Sequence, residues 1–415
     1  MNRPRTRLAI VVSHPIQYYA PWFRHLAQQA DLEVRVFHLW DFGVTTQVDR
    51  GFGQPVQWDI PLLEGYASEF VPNVSAEPGT HHFNGLDNPE LVPRLLAWKP
   101  DAILLFGYAT RSHLRVILSR RLWNVPLLFR GDSHDLARPK GPRTWAARIF
   151  RRILFRRFAA FLSVGRAHAA YLRNSGVPEA KIVFAPHAVD NDRFRAAAEA
   201  AARGAKAWRK ELGIPEGARV FLFAGKLEPK KQPLQLLEAF LAVLASPEPP
   251  STLACLLFVG SGELEGALKA RAAEAATATG RVFFAPFQNQ SRMPLVYAAG
   301  DVLVLPSRGP SETWGLAVNE AMNLARPALV SSHVGCAEDL VLPGDTGWVV
   351  PAGEPRALQE VLTFLMEQDP AALAAAGLRA QERVEAYSMD SATQTLRATL
   401  ARLATLPPRS PTPGS

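Results

Sequence analysis

Short, wholly apolar runs alternate along this chain with longer segments whose apolar residues recur every three to four positions. In the first half the runs at residues 8–12, 32–39, 102–106, 126–129, 160–164 and 181–185 predict strands buried on both faces. Such strands belong to parallel sheets covered by helices on each side. Between them, residues 19–30, 90–98, 112–122 and 167–175 have helical spacing. Residues 42–88 are rich in Gly, Pro and aromatics with weak periodicity, so long loops around one or two short strands are expected there.

An Ala/Lys/Arg-rich helical segment, residues 196–210, precedes a second series. Strands are expected at 219–223, 255–259, 281–284, 302–305, 328–331 and 347–350, and helices at 233–245, 263–277, 293–299, 316–324 and 356–367. The pattern predicts an α/β chain of two Rossmann-like, doubly wound domains, 1–195 and 218–380, joined by a connector at 196–217. The last helical run extends from 370 to 406, and its part from 381 to 406 is free to cross back to the first domain. Residues 407–415, proline-rich and polar, are expected to be disordered.

The bulk properties narrow this without choosing a ligand. A length of 415 residues exceeds what one core comfortably fills, and 48% apolar with 20% charged residues is a globular composition. The net charge of +8 suits acidic ligands: nucleotide diphosphates, anionic lipid or nucleic acid. Two cysteines, Cys255 and Cys336, are too few for a disulfide framework or a cysteine zinc site, so a reducing cytosol is expected. The first apolar run stops at Ser13-His14-Pro15, as a strand does and a leader does not. No run is long enough to span a bilayer.

The chemistry gathers at strand ends. After the run at 302–305 comes Ser311-Glu312-Thr313-Trp314-Gly315-Leu316-Ala317, which opens a helix containing Glu320. A helix start offers free N–H groups and the positive end of a dipole to an anion. Carboxylates among phosphates would be repelled, but Glu312 and Glu320 can bind hydroxyls of a sugar or ribose. By spacing alone, two unrelated surface acids are the plainer reading. Gly225-Lys226-Leu227-Glu228-Pro229-Lys230-Lys231 lies between a strand and the helix beginning at Pro233, placing Lys226 and Lys231 where open α/β sheets bind ligands. A solvated lysine loop is the ordinary alternative. In the first half, His14, Gln17 and Tyr18 follow the first strand, and Arg130-Gly131-Asp132-Ser133-His134 follows the run at 126–129. Asp132, Ser133 and His134 are too close in sequence to converge as a hydrolytic triad.

The Glu312-x7-Glu320 pair, with Arg326-Pro327 and Gly344-Asp345-Thr346-Gly347 beyond it, resembles glycosyltransferase family 4, retaining enzymes of the GT-B fold. The segment His14-Pro15-Ile16-Gln17-Tyr18 resembles a bacterial subgroup of that family. The resemblance implies that Gly225, Lys226 and Lys231 grip the diphosphate of a nucleotide-sugar donor, with Lys226 standing where arginine is usual. Glu312 would hold the donor sugar and Glu320 the ribose. Trp314, Gly315, Leu316 and Ala317 would complete the donor loop, with Phe287 beside the base. Catalysis would rest on Glu312, His134 and Lys231, and the acceptor would meet His14, Gln17, Tyr18 and Arg130. His187, Ala325 and Cys336 depart from the family pattern close to the expected cleft.

The implied reaction is retaining sugar transfer from a UDP- or GDP-linked donor to a sugar, lipid-linked or small-molecule acceptor, in glycan, polysaccharide or glycolipid synthesis. No separate cofactor is expected, and no metal, because no Asp-x-Asp pair is placed like a metal–diphosphate site. A nucleotide-sugar epimerase of GT-B shape is one alternative. A basic nucleic-acid-binding or scaffold protein is another; it leaves the paired glutamates unexplained, and nucleic acid is not expected as a partner. Between Arg143 and Phe158, six arginines interleave with Trp145, Ile149, Phe150, Ile153 and other apolar residues. An ordinary sheet-packing helix accounts for this, and a peripheral contact with an anionic membrane on its cytoplasmic face can hold at the same time.

Overall fold

The computed structural model describes residues 5–49, 51–137 and 141–405. Its first half is a seven-stranded sheet, in the order Ala67–Phe70, Leu32–His38, Thr6–Val12, Ala102–Phe106, Leu127–Gly131, Ala160–Ser163, Ile182–Phe184. Its second half is a six-stranded sheet ordered Val282–Ala285, Ala254–Val259, Arg219–Ala224, Val302–Leu305, Ala328–Ser331, Gly347–Val350. All pairings within both sheets are parallel. A separate antiparallel hairpin joins Gln47–Asp49 to Gln54–Val56.

The continuous apolar runs have a direct cause. Successive residues of a strand point to opposite faces, and both faces are covered. Leu8, Ile10 and Val12 enter one core cluster of the first sheet while Ala9 and Val11 enter the other. Val220 and Leu222 likewise divide from Phe221 and Phe223 in the second. The elements expected from sequence are present with ends moved by a few residues. The stretch 42–88, expected to hold one or two short strands, holds three, Gln47–Asp49, Gln54–Val56 and Ala67–Phe70, the last a half-exposed edge carrying Ser68 and Glu69 without a buried face to impose a pattern.

Three boundaries differ from expectation. The connector is one helix, Asn191–Glu211, which begins inside the stretch assigned to the first domain and buries Phe194, Ala201 and Trp208 in the second half's core. The run expected from 370 to 406 is two helices, Pro370–Glu385 and Met389–Ala404. Their break falls at 386–388, not at 380, and Ser388 caps the second helix by accepting from the Ser391 N–H. The tail 407–415 lies outside the described residues.

The last helix does cross back. Ala392, Leu396 and Leu400 share the core cluster of Leu8, Ile10 and Val12, and Trp22 Nε1 donates to Thr393 Oγ1 at 3.0 Å. Leu396 is fully buried there. Leu396→Ala should therefore cost about 3 kcal/mol, the usual penalty for emptying a leucine site. Urea unfolding of the variant checks this, and a loss under about 0.5 kcal/mol would mean that the helix is not docked.

Candidate active site

In each half the strand order reverses beside the first strand of the sheet, between Thr6–Val12 and Ala102–Phe106, and between Arg219–Ala224 and Val302–Leu305. Loops leaving the carboxyl ends at such a point diverge and leave a crevice. The lysine loop follows Arg219–Ala224, the glutamate loop follows Val302–Leu305, and His14 follows Thr6–Val12. They face one another across a cleft of about 420 Å³, within the usual size of small-molecule sites.

The glutamate loop is tightly held. Glu312 is only 8% exposed, and its Oε2 accepts from Ser307 Oγ at 2.8 Å and pairs with Lys231 Nζ. Its backbone carbonyl accepts from Gly335 N at 3.1 Å and from His134 Nε2 at 3.1 Å. A Cβ at Gly335 would lie 1.9 Å from Thr313 O, so only glycine allows this approach. The same holds across the cleft floor, where a Cβ at Gly260 would meet Gly225 O at 2.0 Å. Gly315, at φ +96°, starts the helix Leu316–Asn323. The plainer reading of Glu312 from spacing alone, a surface acid, does not hold: it is a buried and bonded carboxylate.

Lys226 is also engaged: its Nζ lies 2.7 Å from Asp49 Oδ1 on the hairpin and 4.8 Å above the Phe52 ring. Glu320 differs from Glu312. Its Oε2 accepts from Tyr297 OH at 2.6 Å, but its Oε1 has no hydrogen-bond partner of normal geometry among the described residues, with Gln290 nearby. Burial, partly offset by the Tyr297 hydrogen bond, raises its pKa to about 7. One carboxylate is thus neutralised by a lysine and the other by a proton.

The first half supplies the opposite wall. His14, Gln17, Tyr18, Asp132 and His187 line the cleft. Tyr18 was expected on the acceptor side, yet it packs on the second half's core, and Glu320 helps hold its hydroxyl neutral. His14 stands edge-on to Trp40 and Phe42, and burial lowers its pKa to about 4. Asp132 Oδ2 accepts from Thr313 Oγ1 at 2.7 Å, tying the halves together.

Two expected site residues do not reach the cleft. Arg130 is buried behind it, donating to Ala185 O at 2.6 Å and Pro186 O at 2.9 Å, with its guanidinium over the Trp22 ring. His134, 1% exposed, lies beneath the glutamate loop and acts on it through the Glu312 carbonyl. The remaining expected residues, Gly225, Lys226, Lys231, Phe287, Glu312, Trp314, Gly315, Leu316, Ala317 and Glu320, all line it. Asp49, Asp132, Tyr297 and His187 line it too and were not chosen from the sequence. His187 was noted only as a departure from the family pattern. Its ring stacks on Tyr19, burial keeps it neutral, and its Nδ1 has no partner. Ala325, by contrast, is not in the cleft: it follows the far end of the helix Leu316–Asn323, at φ +53°.

Two doubly wound parallel sheets facing a polar cleft, with basic and acidic loops at their carboxyl ends, define a GT-B glycosyltransferase architecture. The family model for glycosyl transferases group 1 matches residues 205–383, and the glycosyl transferase 4-like domain matches residues 22–188. D-inositol 3-phosphate glycosyltransferase of Streptomyces avermitilis is 30% identical over 358 residues, covering 80% of this chain and 74% of that one. Its namesake in Rhodococcus jostii is 28% identical over 356 residues, covering 80% and 75%. The chain belongs to this family of glycosyltransferases. Among solved structures, HepE of Anabaena in complex with UDP and glucose superposes with a TM-score of 0.68 at 18% identity, over 96% of this chain and 100% of that one. Sucrose-phosphate synthase of Thermosynechococcus elongatus gives 0.66 at 19% identity, over 96% and 99%.

The raised pKa of Glu320 has a measurable consequence. The folded chain holds this proton up to about pH 7 while the unfolded chain releases it near 4.5, so its stability falls as pH rises between those values. At about 1.4 kcal/mol per tenfold, the full difference is about 3 kcal/mol. Glu320→Gln should therefore stabilise the ligand-free protein at pH 8 by up to that amount, with the gain vanishing toward pH 5. Thermal unfolding of both proteins across this range tests it. A gain independent of pH would show that Glu320 is not protonated in the fold.

Proposed function

We propose that this glycosyltransferase is a retaining, metal-independent hexosyltransferase that moves a sugar from a UDP-linked donor to an acceptor hydroxyl. The observation that carries the reading is the meeting, in one interdomain cleft, of Lys226 and Lys231 with two glutamates, one of which has an unpartnered buried oxygen. HepE was solved with UDP and glucose, which supports the choice of base.

In this reading the diphosphate lies between Lys226, Lys231 and the start of the helix Leu316–Asn323. As the bond from the sugar's anomeric carbon to the phosphate oxygen breaks, charge grows on that oxygen. Fixed cations and amides there stabilise the transition state more than the ground state. Glu312, held in place by Lys231 and Ser307, takes donor-sugar hydroxyls, and the free Oε1 of Glu320 takes a ribose hydroxyl. The acceptor oxygen bonds to the anomeric carbon on the face the phosphate leaves, and its proton passes to the departing phosphate oxygen. Configuration is retained without a protein nucleophile. His134 contributes by positioning Glu312. An epimerase of the same shape would need no acceptor wall, and the His14, Asp132 and His187 face favours transfer.

The acceptor is read as lipid-linked, in glycan or glycolipid synthesis, with the enzyme held peripherally at an anionic membrane. No described helix is long and apolar enough to cross a membrane. The helix Pro142–Phe155 buries Leu154 and Phe155 against the first sheet's core, yet leaves Trp145 66%, Ile149 39%, Phe150 51% and Ile153 62% exposed. Trp145, Ile149 and Ile153 form one stripe at i, i+4, i+8, flanked by exposed Arg148, Arg152 and Arg156. The helix follows the strand whose loop carries Asp132, so its first turn begins on the cleft's side of the sheet.

Two outcomes are expected. Lys231→Ala should lower kcat/KM by roughly a hundredfold, the scale of losing one charge-stabilising donor, while wild-type turnover persists in EDTA. Near-normal rates in the variant, or a loss in chelator restored by manganese, would refute the assignment of charge to the lysines. The protein should also co-sediment with anionic but not neutral liposomes at low salt, each arginine contributing about 1 kcal/mol. Release should follow at high salt or on Trp145→Glu. Equal, negligible binding to both vesicles would favour a soluble acceptor such as the phosphorylated inositol for which the relatives are named.

A further inference from the structure

The hairpin Gln47–Asp49/Gln54–Val56 belongs to the first half by sequence, but its tip and the segment after it rest on the second. Asp49 Oδ1 binds Lys226 Nζ at 2.7 Å. The Phe52 ring meets Phe287 edge-on at 4.5 Å, and the Phe52 carbonyl accepts from Ser261 Oγ at 3.1 Å. Beyond the hairpin, Asn289 Nδ2 donates to Gln57 O at 2.7 Å, and Ser291 N donates to Asp59 Oδ1 at 3.0 Å. The tip thus covers the carboxyl ends of Arg219–Ala224, Ala254–Val259 and Val282–Ala285, where the donor-site reading puts diphosphate and base.

We propose that the hairpin tip is an internal occupant of the donor site, with Asp49 serving as the resident anion of Lys226, and that a nucleoside diphosphate binds by displacing it. The proposal rests on the donor-site reading above. One ammonium cannot hold a carboxylate and a diphosphate together without bringing like charges into contact, at a partly buried position where water screens them weakly. Phe52 covers Phe287 in the same way, on the face a base would use. The carboxylate is also set in advance: Asp49 Oδ1 accepts from Gly51 N at 2.8 Å and from Phe52 N at 3.1 Å, an Asx turn that aims it at the lysine. The two attachments at Gln57 and Asp59 lie beyond the tip, so the tip can leave while the stem stays anchored.

Asp49→Asn tests this without unmaking the turn, because the amide oxygen still accepts both N–H groups while the charge is lost. Titration calorimetry with UDP, GDP and inorganic pyrophosphate should show binding about three- to tenfold tighter in the variant, since a site freed of its occupant is populated in the competent state. Pyrophosphate has no base, so its gain isolates the lysine. Chymotryptic cleavage after Phe52 should accelerate on adding UDP to wild type, and Phe52→Ala should tighten UDP as well. Unchanged or weaker binding by Asp49→Asn, or protection of Phe52 by UDP, would overturn the proposal while leaving the donor site standing. Failure of every one of these ligands to bind wild type would overturn both.

Discussion

A carboxylate kept out of water must be paired, protonated or bound by ligand, and the cleft is organised around that constraint. Glu312 meets it with Lys231 and Ser307; Glu320 meets it with a proton and one hydrogen bond from Tyr297. The two acids are only eight residues apart, yet one is paired with a lysine while burial raises the pKa of the other. One is a ready acceptor for hydroxyls. The other, with an unpartnered oxygen, is pushed by burial toward holding a proton, its pKa raised to about 7.

The same constraint ties the halves together. Several polar groups near the glutamate loop also bind across the interface. Asn319 Nδ2 donates to His187 O at 3.1 Å while its Oδ1 accepts from Trp314 Nε1 at 2.8 Å. Asn323 Nδ2 donates to Asn191 Oδ1 at 2.9 Å, and Thr313 and Glu312 reach Asp132 and His134. A shift of either half would leave several buried donors or acceptors unmade, each costing about 1–3 kcal/mol. The glutamate loop is thus placed by both sheets at once, which is why His134, though outside the cleft, bears on its shape.

What the sequence revealed and what it hid divide along physical lines. Strands apolar on both faces announce themselves, and so do glycines where backbones touch. Ala67–Phe70 did not, because an edge strand with half-exposed side chains has no burial to impose a pattern. Lys226 and Lys231 were legible as cations at strand ends, but their partners were not: Asp49 lies 177 residues from Lys226 and Glu312 lies 81 from Lys231. Arg130 was misjudged for a related reason. A charged residue at a strand end suggests a ligand, yet its partners are the carbonyls of Ala185 and Pro186, and backbone carbonyls leave no mark in a sequence. The tail at 407–415 and the side chain of Arg143 lie outside what is described.

Lysine at position 226, where the family's pattern has arginine, fits the neighbourhood in a way the sequence alone did not show. A guanidinium holds an anion through a planar fork and gives up two aligned bonds to release it; an ammonium is a point charge on a flexible stem. Lys226 has one close anionic partner and an aromatic face beneath it, both compatible with a charge that can turn. The looser phosphate geometry expected of lysine is then not simply a weaker grip. Under the proposed displacement of Asp49, the same cation would pair with that carboxylate in the free protein and face a diphosphate without rebuilding the loop. Burial makes the histidines around it unable to share that task, since His14 and His187 are held neutral. In the proposed reading, the positive charge that meets the leaving group is supplied by the lysines and by the amides of the helix start.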